Sequence, residues 1–176
     1  MKLIPLTQDK FAKVSDEDYA FLIQKNWFLS EGYPCTMIGR KPIRMHSFIL
    51  NSVMVDHING DILDNQRGNL RPCNKSQNGA NSKKRKGEFS SRFKGVYWAK
   101  EKRKWTAQVT KDSKTYMLGR FDSEIAAALC YDLWALEMYG EYARTNFAPV
   151  ATNCVVLPSC LNRLIDDYQG TWEALQ

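Results

Sequence analysis

The sequence predicts an α+β protein built from two small units, and three observations support this prediction. Between residues 51 and 82, short apolar stretches and an Asn-Gly turn give the order strand, loop, strand, helix. Residues 92–121 alternate in the manner of three short strands, and Ser123 can cap a long helix that stops at Gly140. Residues 83–91 have the composition of a basic linker. The expected segments are therefore 1–82, 83–91, 92–148 and 149–176.

The composition indicates a folded protein without a membrane segment. The 176 residues are 44% hydrophobic, which is sufficient for packed cores. No apolar run reaches the ~18 residues of a membrane span, and the first residues lack the apolar stretch of a signal peptide, so we expect a cytoplasmic protein. The five cysteines are widely spaced and form no CxxC pair, so we interpret them as core residues rather than zinc ligands.

Weaker patterns in the remaining parts of the first unit predict further short elements. Extended segments are expected at the sequence LIPL and around Tyr33 to Ile38. A helix from Tyr19 to Lys25 is expected after the N-terminal signal Ser15-Asp-Glu-Asp, and a second helix, carrying His46, is expected over residues 43–50. The polar stretch from Lys75 to Ser82 is the helix that closes this unit.

The positive charge of the chain is concentrated in one region. The formal net charge is +6, and residues 83–114 hold twelve Lys and Arg against three acidic residues, interleaved with aromatic side chains. This combination is typical of a protein that binds a polyphosphate, although a solvated surface is the simpler alternative. The residues expected to contact nucleic acid are Lys83, Lys84, Arg85, Lys86, Arg92, Lys94, Trp98, Arg103 and Lys104.

An ordered set of polar residues lies between residues 40 and 82. The set consists of Asp56-His57-Ile58-Asn59-Gly60-Asp61, Leu63-Asp64-Asn65, Asn69-Leu70-Arg71 and Ser76-Gln77-Asn78. It resembles the HNH endonuclease family, in the phage-type subgroup that has Asn in the third motif position. The resemblance implies a ββα-metal nuclease domain, in which two antiparallel strands and a helix grip one divalent metal ion and DNA phosphodiester bonds are hydrolysed.

The resemblance implies roles for four residues, and their chemistry agrees with those roles. A neutral imidazole accepts a proton from water at about pH 7, so His57 is the expected general base. Mg²⁺ prefers oxygen ligands and keeps several waters, so Asp56 and Asn78 are the expected metal ligands, with Mn²⁺ as the alternative ion. Asn69 is expected to support catalysis by bracing the loop that bears His57, through hydrogen bonds rather than metal binding.

Simpler interpretations remain open for these positions. Asp56 could cap a turn, and Asn78 could lie on a helix surface. Asp61 and Asp64 are expected to stabilise the loop rather than to bind metal. The family usually has His-Arg where this chain has His46-Ser47, so His46 receives no catalytic role.

A second set of landmarks lies between residues 92 and 148. The landmarks are Phe93-Lys94-Gly95-Val96, Trp105-Thr106-Ala107-Gln108-Val109, Leu118-Gly119-Arg120-Phe121, Ala126-Ala127-Ala128, Tyr131-Asp132 and Asn146-Phe147. They resemble an AP2/ERF domain, which implies a three-stranded antiparallel sheet packed on one helix, with the sheet in the DNA major groove. The DNA base preference of the plant AP2/ERF family is not expected to hold for this chain. The family's charged or aromatic DNA contacts are replaced here by Tyr97, Gln108, Thr110, Thr115 and Met117. In the helix, Ala126, Leu129, Leu133 and Leu136 are predicted to pack against the sheet.

Two hypotheses of different class follow. The leading one is a site-recognising, homing-type endonuclease, encoded by a phage and acting in the bacterial cytoplasm, in which the AP2-like sheet places the cut. The alternative is a DNA-binding regulator that keeps the HNH fold only as a scaffold. Double-stranded DNA is the expected partner, because A-form RNA hides its major groove from a sheet. We expect a monomer.

Overall fold

The computed structural model describes residues 1–147, which form two compact units, one from Met1 to Ser82 and one that begins at Lys83. Within these residues the fold is α+β, with four α-helices and several small sheets. None of the helices between residues 1 and 147 is long and apolar enough to cross a membrane. The segment expected at 149–176 lies outside the described residues.

The first unit contains eight short strands and three α-helices. In chain order they are β1 Lys2–Pro5, β2 Phe11–Val14, α1 Asp16–Leu22, β3 Phe28–Ser30, β4 Tyr33–Ile38, β5 Lys41–Arg44, α2 Met45–Leu50, β6 Val55–His57, β7 Asp64–Asn65, β8 Leu70–Pro72 and α3 Lys75–Asn81. Strands β1, β2 and β7 form one sheet, β3, β4 and β5 form a second, and β6 pairs with β8 in antiparallel orientation.

Two helices of this unit begin elsewhere than the sequence predicts. Helix α1 already starts at Asp16, because three consecutive acidic residues in its first turn complement the positive end of the helix dipole. Helix α2 starts only at Met45, since Ile43 belongs to β5 and pairs with Thr36 of β4. The prediction of a helix over residues 43–50 was therefore wrong in its first two positions.

The hydrophobic core of the first unit holds α2 against β6. Its buried members are Ile4, Ala12, Val14, Leu22, Trp27, Met45, Ile49, Val55 and Leu70. Met45 and Ile49 lie one helical turn apart on α2 and share this core with Val55 at the start of β6. Burial of these side chains therefore places the first turn of α2 beside the end of β6.

A buried carboxylate joins α1 to the segment that precedes β8. Asp18 is 1% exposed and accepts hydrogen bonds from Arg67 Nε at 3.0 and 2.9 Å and from Arg67 Nη2 at 2.8 Å. The exposed Glu17 contacts the same guanidinium at 3.2 Å. Hydrogen bonds from a charged donor to a buried carboxylate are stronger than exposed ion pairs.

The second unit is a three-stranded antiparallel sheet covered by one helix. Its elements are β9 Val96–Ala99, β10 Lys104–Lys111, β11 Lys114–Phe121 and α4 Glu124–Tyr139, and the strand order is β11, β10, β9. Gly95, just before β9, has a φ of +74°, and a Cβ there would lie 2.0 Å from the Tyr131 ring of α4. Only glycine allows this close approach of the strand to the helix.

Helix α4 packs on the sheet through small residues, which corrects the sequence prediction. The buried residues of α4 are Ala127, Ala128, Cys130, Tyr131, Asp132 and Ala135. Leu129, Leu133 and Leu136 are 49%, 40% and 36% exposed, so the prediction that they pack on the sheet was wrong. The face with small side chains lets the helix approach the strands, and the larger leucines lie outside.

Replacing Asp18 should destabilise the first unit. We expect Asp18→Ala to lower the free energy of unfolding of this unit by about 2 kcal/mol, because it removes the charged acceptor of Arg67. Glu17→Ala, which removes the exposed partner of the same arginine, should cost at most about 0.5 kcal/mol. Amide hydrogen exchange in β1 and β2 measures both values, and equal effects of the two variants would contradict this account.

Candidate functional site

Asp56 and His57 lie side by side at the end of β6, in the interior of the first unit. Both side chains are buried, at 4% and 5% exposure. Strand β8 runs beside β6, so that Asp56 is opposite Arg71 and His57 is opposite Leu70. The loop between these strands and helix α3 after β8 supply the remaining polar side chains of the site.

The Asp56 carboxylate is held by donors from two other elements. Arg71 of β8 donates to Oδ2 from Nε at 2.9 Å and from Nη2 at 2.8 Å. Asn81 of α3 donates from Nδ2 to Oδ1 at 2.9 Å and to Oδ2 at 3.0 Å. A buried carboxylate is stable only when it is paired and hydrogen-bonded, and these donors provide both.

The amide of Asn81 also reaches the backbone of the strand end. Its Nδ2 lies 2.8 Å from the carbonyl oxygen of His57 and 3.3 Å from that of Ile58. One buried side chain therefore ties the end of α3 to Asp56 and to the peptide that carries His57. The relative position of β6 and α3 is set at this point.

The contacts of His57 define which ring nitrogen carries its proton. Nε2 lies 3.4 Å from Oδ1 of Asn65, and Nδ2 of the same amide donates to the carbonyl of Ile62 at 3.2 Å. Because Asn65 presents an acceptor, Nε2 of His57 is the donor, which leaves the lone pair on Nδ1. Burial lowers the pKa of His57, partly offset by the Asn65 hydrogen bond and the neighbouring carboxylates, so the ring is neutral at about pH 7.

A second imidazole lies against the first. The rings of His46 and His57 meet edge to face, with centroids 5.0 Å apart and planes at 84°. Tyr33 of β4 packs on His46 in the same manner at 5.6 Å, and the Arg44 guanidinium lies 4.2 Å from the Tyr33 centroid. Burial lowers the pKa of His46 to about 4, with further contributions from His57 and Arg44.

Asn69 lies between the strands and closes the loop after His57. Its Oδ1 accepts from the Asn59 backbone N–H at 3.0 Å, and its Nδ2 donates to Asn59 Oδ1 at 3.0 Å and to the Asp64 carbonyl at 2.8 Å. Asp64 accepts from the side chains of Asn59 and Gln66 at 2.9 and 2.8 Å. Asp61 accepts from the Leu63 backbone N–H at 3.1 Å.

Asn78 lies on α3, one turn before Asn81, and its side chain is exposed. Residues three apart are neighbours on a helix surface, so Asn78 is adjacent to Asn81 on α3. A capping box between Asn74 and Gln77 fixes the start of this helix. Asn81 thus links Asp56 to the His57 backbone, Asn69 closes the adjoining loop, and Asn78 lies exposed on α3.

A cation bound at this centre would share the Asp56 carboxylate with the Arg71 and Asn81 donors. Within residues 1–147, no three His, Cys, Asp or Glu side chains converge in a cluster that could hold a metal ion. Asp56 and the exposed amide of Asn78 would supply two oxygens at most, so water and phosphate would complete the coordination of an ion held there. Mg²⁺ is usually bound in this way, through one or two protein oxygens and several waters.

The sheet face turned away from α4 exposes Tyr97, Met117 and Arg120, whereas Thr106 between Tyr97 and Arg120 is 1% exposed. Val96, Ala107 and Val109 face α4, whereas Tyr97 and Arg120 lie on the opposite face, on either side of Thr106. A β-bulge between Ala107 and Gln108 allows Leu118 and Gly119 both to be buried and turns Arg120 outward. Arg120 was not among the residues predicted to contact DNA. It alternates with Gly119 and Phe121 along the strand, and this alternation could have indicated that it points outward.

The predicted nucleic-acid contacts before β9 differ in exposure. Lys83, Arg85, Lys86 and Arg92 are exposed. Lys84 is half-buried and donates to the Phe93 carbonyl at 2.6 Å, and burial lowers its pKa.

Of the predicted DNA contacts at the sheet, some are exposed and others are already paired or packed within the protein. Arg103 is exposed in the turn before β10, and Lys104 is half-buried and pairs with Asp122. Burial lowers the pKa of Lys94 to about 8, with a further contribution from Arg144. Trp98 lies on the face of Val96 and packs on Trp105, its cross-strand neighbour, with ring centroids 5.1 Å apart.

Three residues of the centre were not identified as such from the sequence. Arg71 was quoted as part of a motif, but its pairing with Asp56 depends on the register of β6 and β8. Asn81 follows Asn78 at helical spacing, which is the signal that could have found it. Asn65 contacts His57 through the loop fold, and no local pattern predicts that contact.

Comparisons with known proteins find an AP2 domain in the second unit and a relative named as an HNH endonuclease. The family model for the AP2 domain matches residues 91–141. A protein of Acanthamoeba polyphaga mimivirus, named an uncharacterized HNH endonuclease, is 31% identical over 147 residues, which are 77% of this chain and 74% of the relative. Protein 3.8 of Escherichia phage T7 is 32% identical over 90 residues, which are 51% of this chain and 73% of that protein.

The plant relatives match a shorter stretch. APETALA2-like protein 2 of Oryza sativa subsp. indica is 40% identical over 80 residues, which are 44% of this chain but 18% of the rice protein. No solved structure matches the chain significantly. Given its identity to the mimivirus protein over most of both chains and the AP2 match, the chain belongs to the HNH endonuclease family and carries an AP2 domain.

Proposed function

We propose that the protein is a metal-dependent DNA endonuclease, with residues 1–82 as a ββα-metal nuclease domain. The observation that carries this proposal is the buried Asp56–His57 pair, in which the carboxylate is held by two donors and the imidazole keeps a lone pair on Nδ1. A neutral imidazole can act as the general base in metal-assisted hydrolysis, and a carboxylate beside it can bind the metal ion.

The proton in this reaction is taken up by His57. Its Nδ1 accepts a proton from the attacking water, and the Asn65 carbonyl oxygen and the nearby carboxylates stabilise the resulting imidazolium. Asn69 keeps the loop after His57 in place through its contacts with Asn59 and Asp64. The base is therefore positioned before substrate arrives, which lowers the entropic cost of the step.

The metal ion, Mg²⁺ or Mn²⁺, would be held by Asp56 and by the side-chain oxygen of Asn78. When bound, it supplies positive charge at the scissile phosphate and at the departing 3′ oxygen. Arg71 and Asn81 fix the orientation of the Asp56 carboxylate. Asn81 also sets the distance between the strand of Asp56 and the helix of Asn78.

The AP2 domain is proposed as the element that selects the cut site on double-stranded DNA. The sheet face turned away from α4 presents Tyr97, Met117 and Arg120, and the exposed cations Arg92 and Arg103 flank the sheet. Strands can lie in the major groove, where base edges are distinguishable, and we propose that this sheet face binds there. The basic residues 83–91 would connect the two activities, and the whole would act as a homing-type nuclease in a phage-infected cell.

Removing the imidazole of the base should abolish cleavage and leave binding intact. We expect His57→Ala to lower the rate of plasmid nicking in Mg²⁺ by about 10²–10⁴-fold, the usual contribution of a general base. Ile58→Ala, which removes an exposed neighbouring side chain, serves as the matched control. Binding without cleavage by the wild-type chain would favour the scaffold-type regulator instead.

Substitutions of Asn78 should either raise or lower the Mg²⁺ concentration that cleavage requires, depending on the new side chain. Asn78→Ala removes an oxygen ligand and should raise the Mg²⁺ concentration for half-maximal cleavage, whereas Asn78→Asp adds charge and should lower it. The side chain is exposed, so neither change disturbs the core. Identical metal titrations for the wild type and both variants would remove Asn78 from the proposed site.

Salt dependence should reveal the cations that bind phosphate. Arg103→Ala and Arg120→Ala should each reduce the slope of log affinity against log salt by about 0.9 for every phosphate that the arginine neutralises. The control is Glu137→Ala, which changes the net charge by one at an exposed position of α4. Binding is measured on a mixed-sequence duplex with chelator present. Unchanged slopes for both arginine variants would place the DNA elsewhere.

A further inference from the structure

His46 occupies an unusual position for a residue without an assigned role. It lies in the first turn of α2, 4% exposed, with its ring against that of His57. The family motif continues with Arg after this histidine, and here the next residue is Ser47. A role for His46 must therefore come from its own contacts.

We propose that His46 is a positioning residue for the base, and that its ring holds the plane of the His57 imidazole while Asn65 holds the ring edge. The inference rests on the proposed nuclease function, because it concerns the same histidine. In this proposal an aromatic contact from α2 fixes the orientation of the His57 ring, which the motif residues of β6, β8 and α3 do not fix.

Two contacts are needed because an imidazole has two rotatable side-chain angles. The Asn65 contact, at 3.4 Å, is a long hydrogen bond at one ring atom and leaves rotation about the line of that bond. The edge-to-face contact with His46, at an interplanar angle of 84°, opposes that rotation. Together the contacts keep Nδ1 of His57 aimed in one direction.

His46 is itself held firmly enough to serve as a support. Met45 and Ile49, on the same helix, are buried in the core that includes Val55 of β6. On its other side the ring packs on Tyr33, which in turn lies under the Arg44 guanidinium. The contacts thus run from β4 through α2 to β6, and the position of the base follows from the packing of three elements.

The ring of His46 acts as an aromatic surface rather than through a hydrogen bond at Nδ1. Within residues 1–147, this buried nitrogen has no hydrogen-bond partner. With a pKa of about 4, the ring is also neutral at working pH and places no positive charge beside the base. A phenyl ring at this position should therefore do what the imidazole does.

The kinetic test compares three variants of the full chain. We expect His46→Ala to lower the single-turnover cleavage rate at saturating DNA and Mg²⁺ by about 10–100-fold, as misplacement of a catalytic group by about 1 Å does, with the DNA Kd unchanged. His46→Phe should stay within about threefold of the wild type. Phe48→Ala removes a ring of α2 that packs on Phe21 and Trp27, and it should retain the wild-type rate at saturating DNA.

A second measurement separates this inference from the proposed function. The chain has only two histidines, so long-range ¹H–¹⁵N spectra resolve the ring nitrogens of His57 without any cleavage. We expect a single Nε2–H form in the wild type and in His46→Phe, and exchange between ring states in folded His46→Ala. If the protein shows this spectral pattern but does not cleave DNA, only the nuclease proposal is contradicted. The inference is overturned if His46→Ala leaves either the His57 spectrum or the cleavage rate unchanged. It is also overturned if His46→Phe lowers the cleavage rate as much as His46→Ala does.

Discussion

The Asp56 carboxylate and its donors are the interaction on which the rest of the candidate centre depends. Arg71 reaches it from β8 and Asn81 reaches it from α3, so one buried anion joins all three elements of the motif. An unpaired carboxylate at this depth would be strongly destabilising, whereas the paired one is tolerated and gives a defined geometry. The same contacts orient the group that we propose as a metal ligand, so stability and chemistry are coupled at this residue.

The two units divide the proposed work in a way that follows from their burial patterns. In the first unit the polar side chains around Asp56 and His57 are interior and hydrogen-bonded, which suits the proposed catalytic centre because such a centre must keep its geometry. In the second unit the small residues of α4 cover one sheet face, and the other exposes Tyr97, Met117 and Arg120. Exposed side chains on a rigid sheet suit recognition, because they can adapt to a partner while the strands stay fixed.

Local patterns in the sequence predicted much of this architecture, and tertiary packing decided the rest. The order strand, loop, strand, helix over residues 51–82 corresponds to β6, β8 and α3, because an Asn-Gly turn and short apolar runs are local signals. The pairing of Asp56 with Arg71 depends on strand register, which no local signal contains. Helix α4 is apolar on most sides, so its spacing could not indicate which face meets the sheet, and Leu133 was assigned to the wrong one.

The central claim is that a divalent cation binds between Asp56 and Asn78, next to His57. Paramagnetic broadening by Mn²⁺ in ¹H–¹⁵N spectra of the full chain tests this claim directly, since it locates the ion without requiring cleavage. We expect substoichiometric Mn²⁺ to broaden the His57 ring and Asn78 side-chain signals before the other signals of residues 1–82. Preferential broadening elsewhere, with sharp His57 and Asn78 signals, would contradict the account.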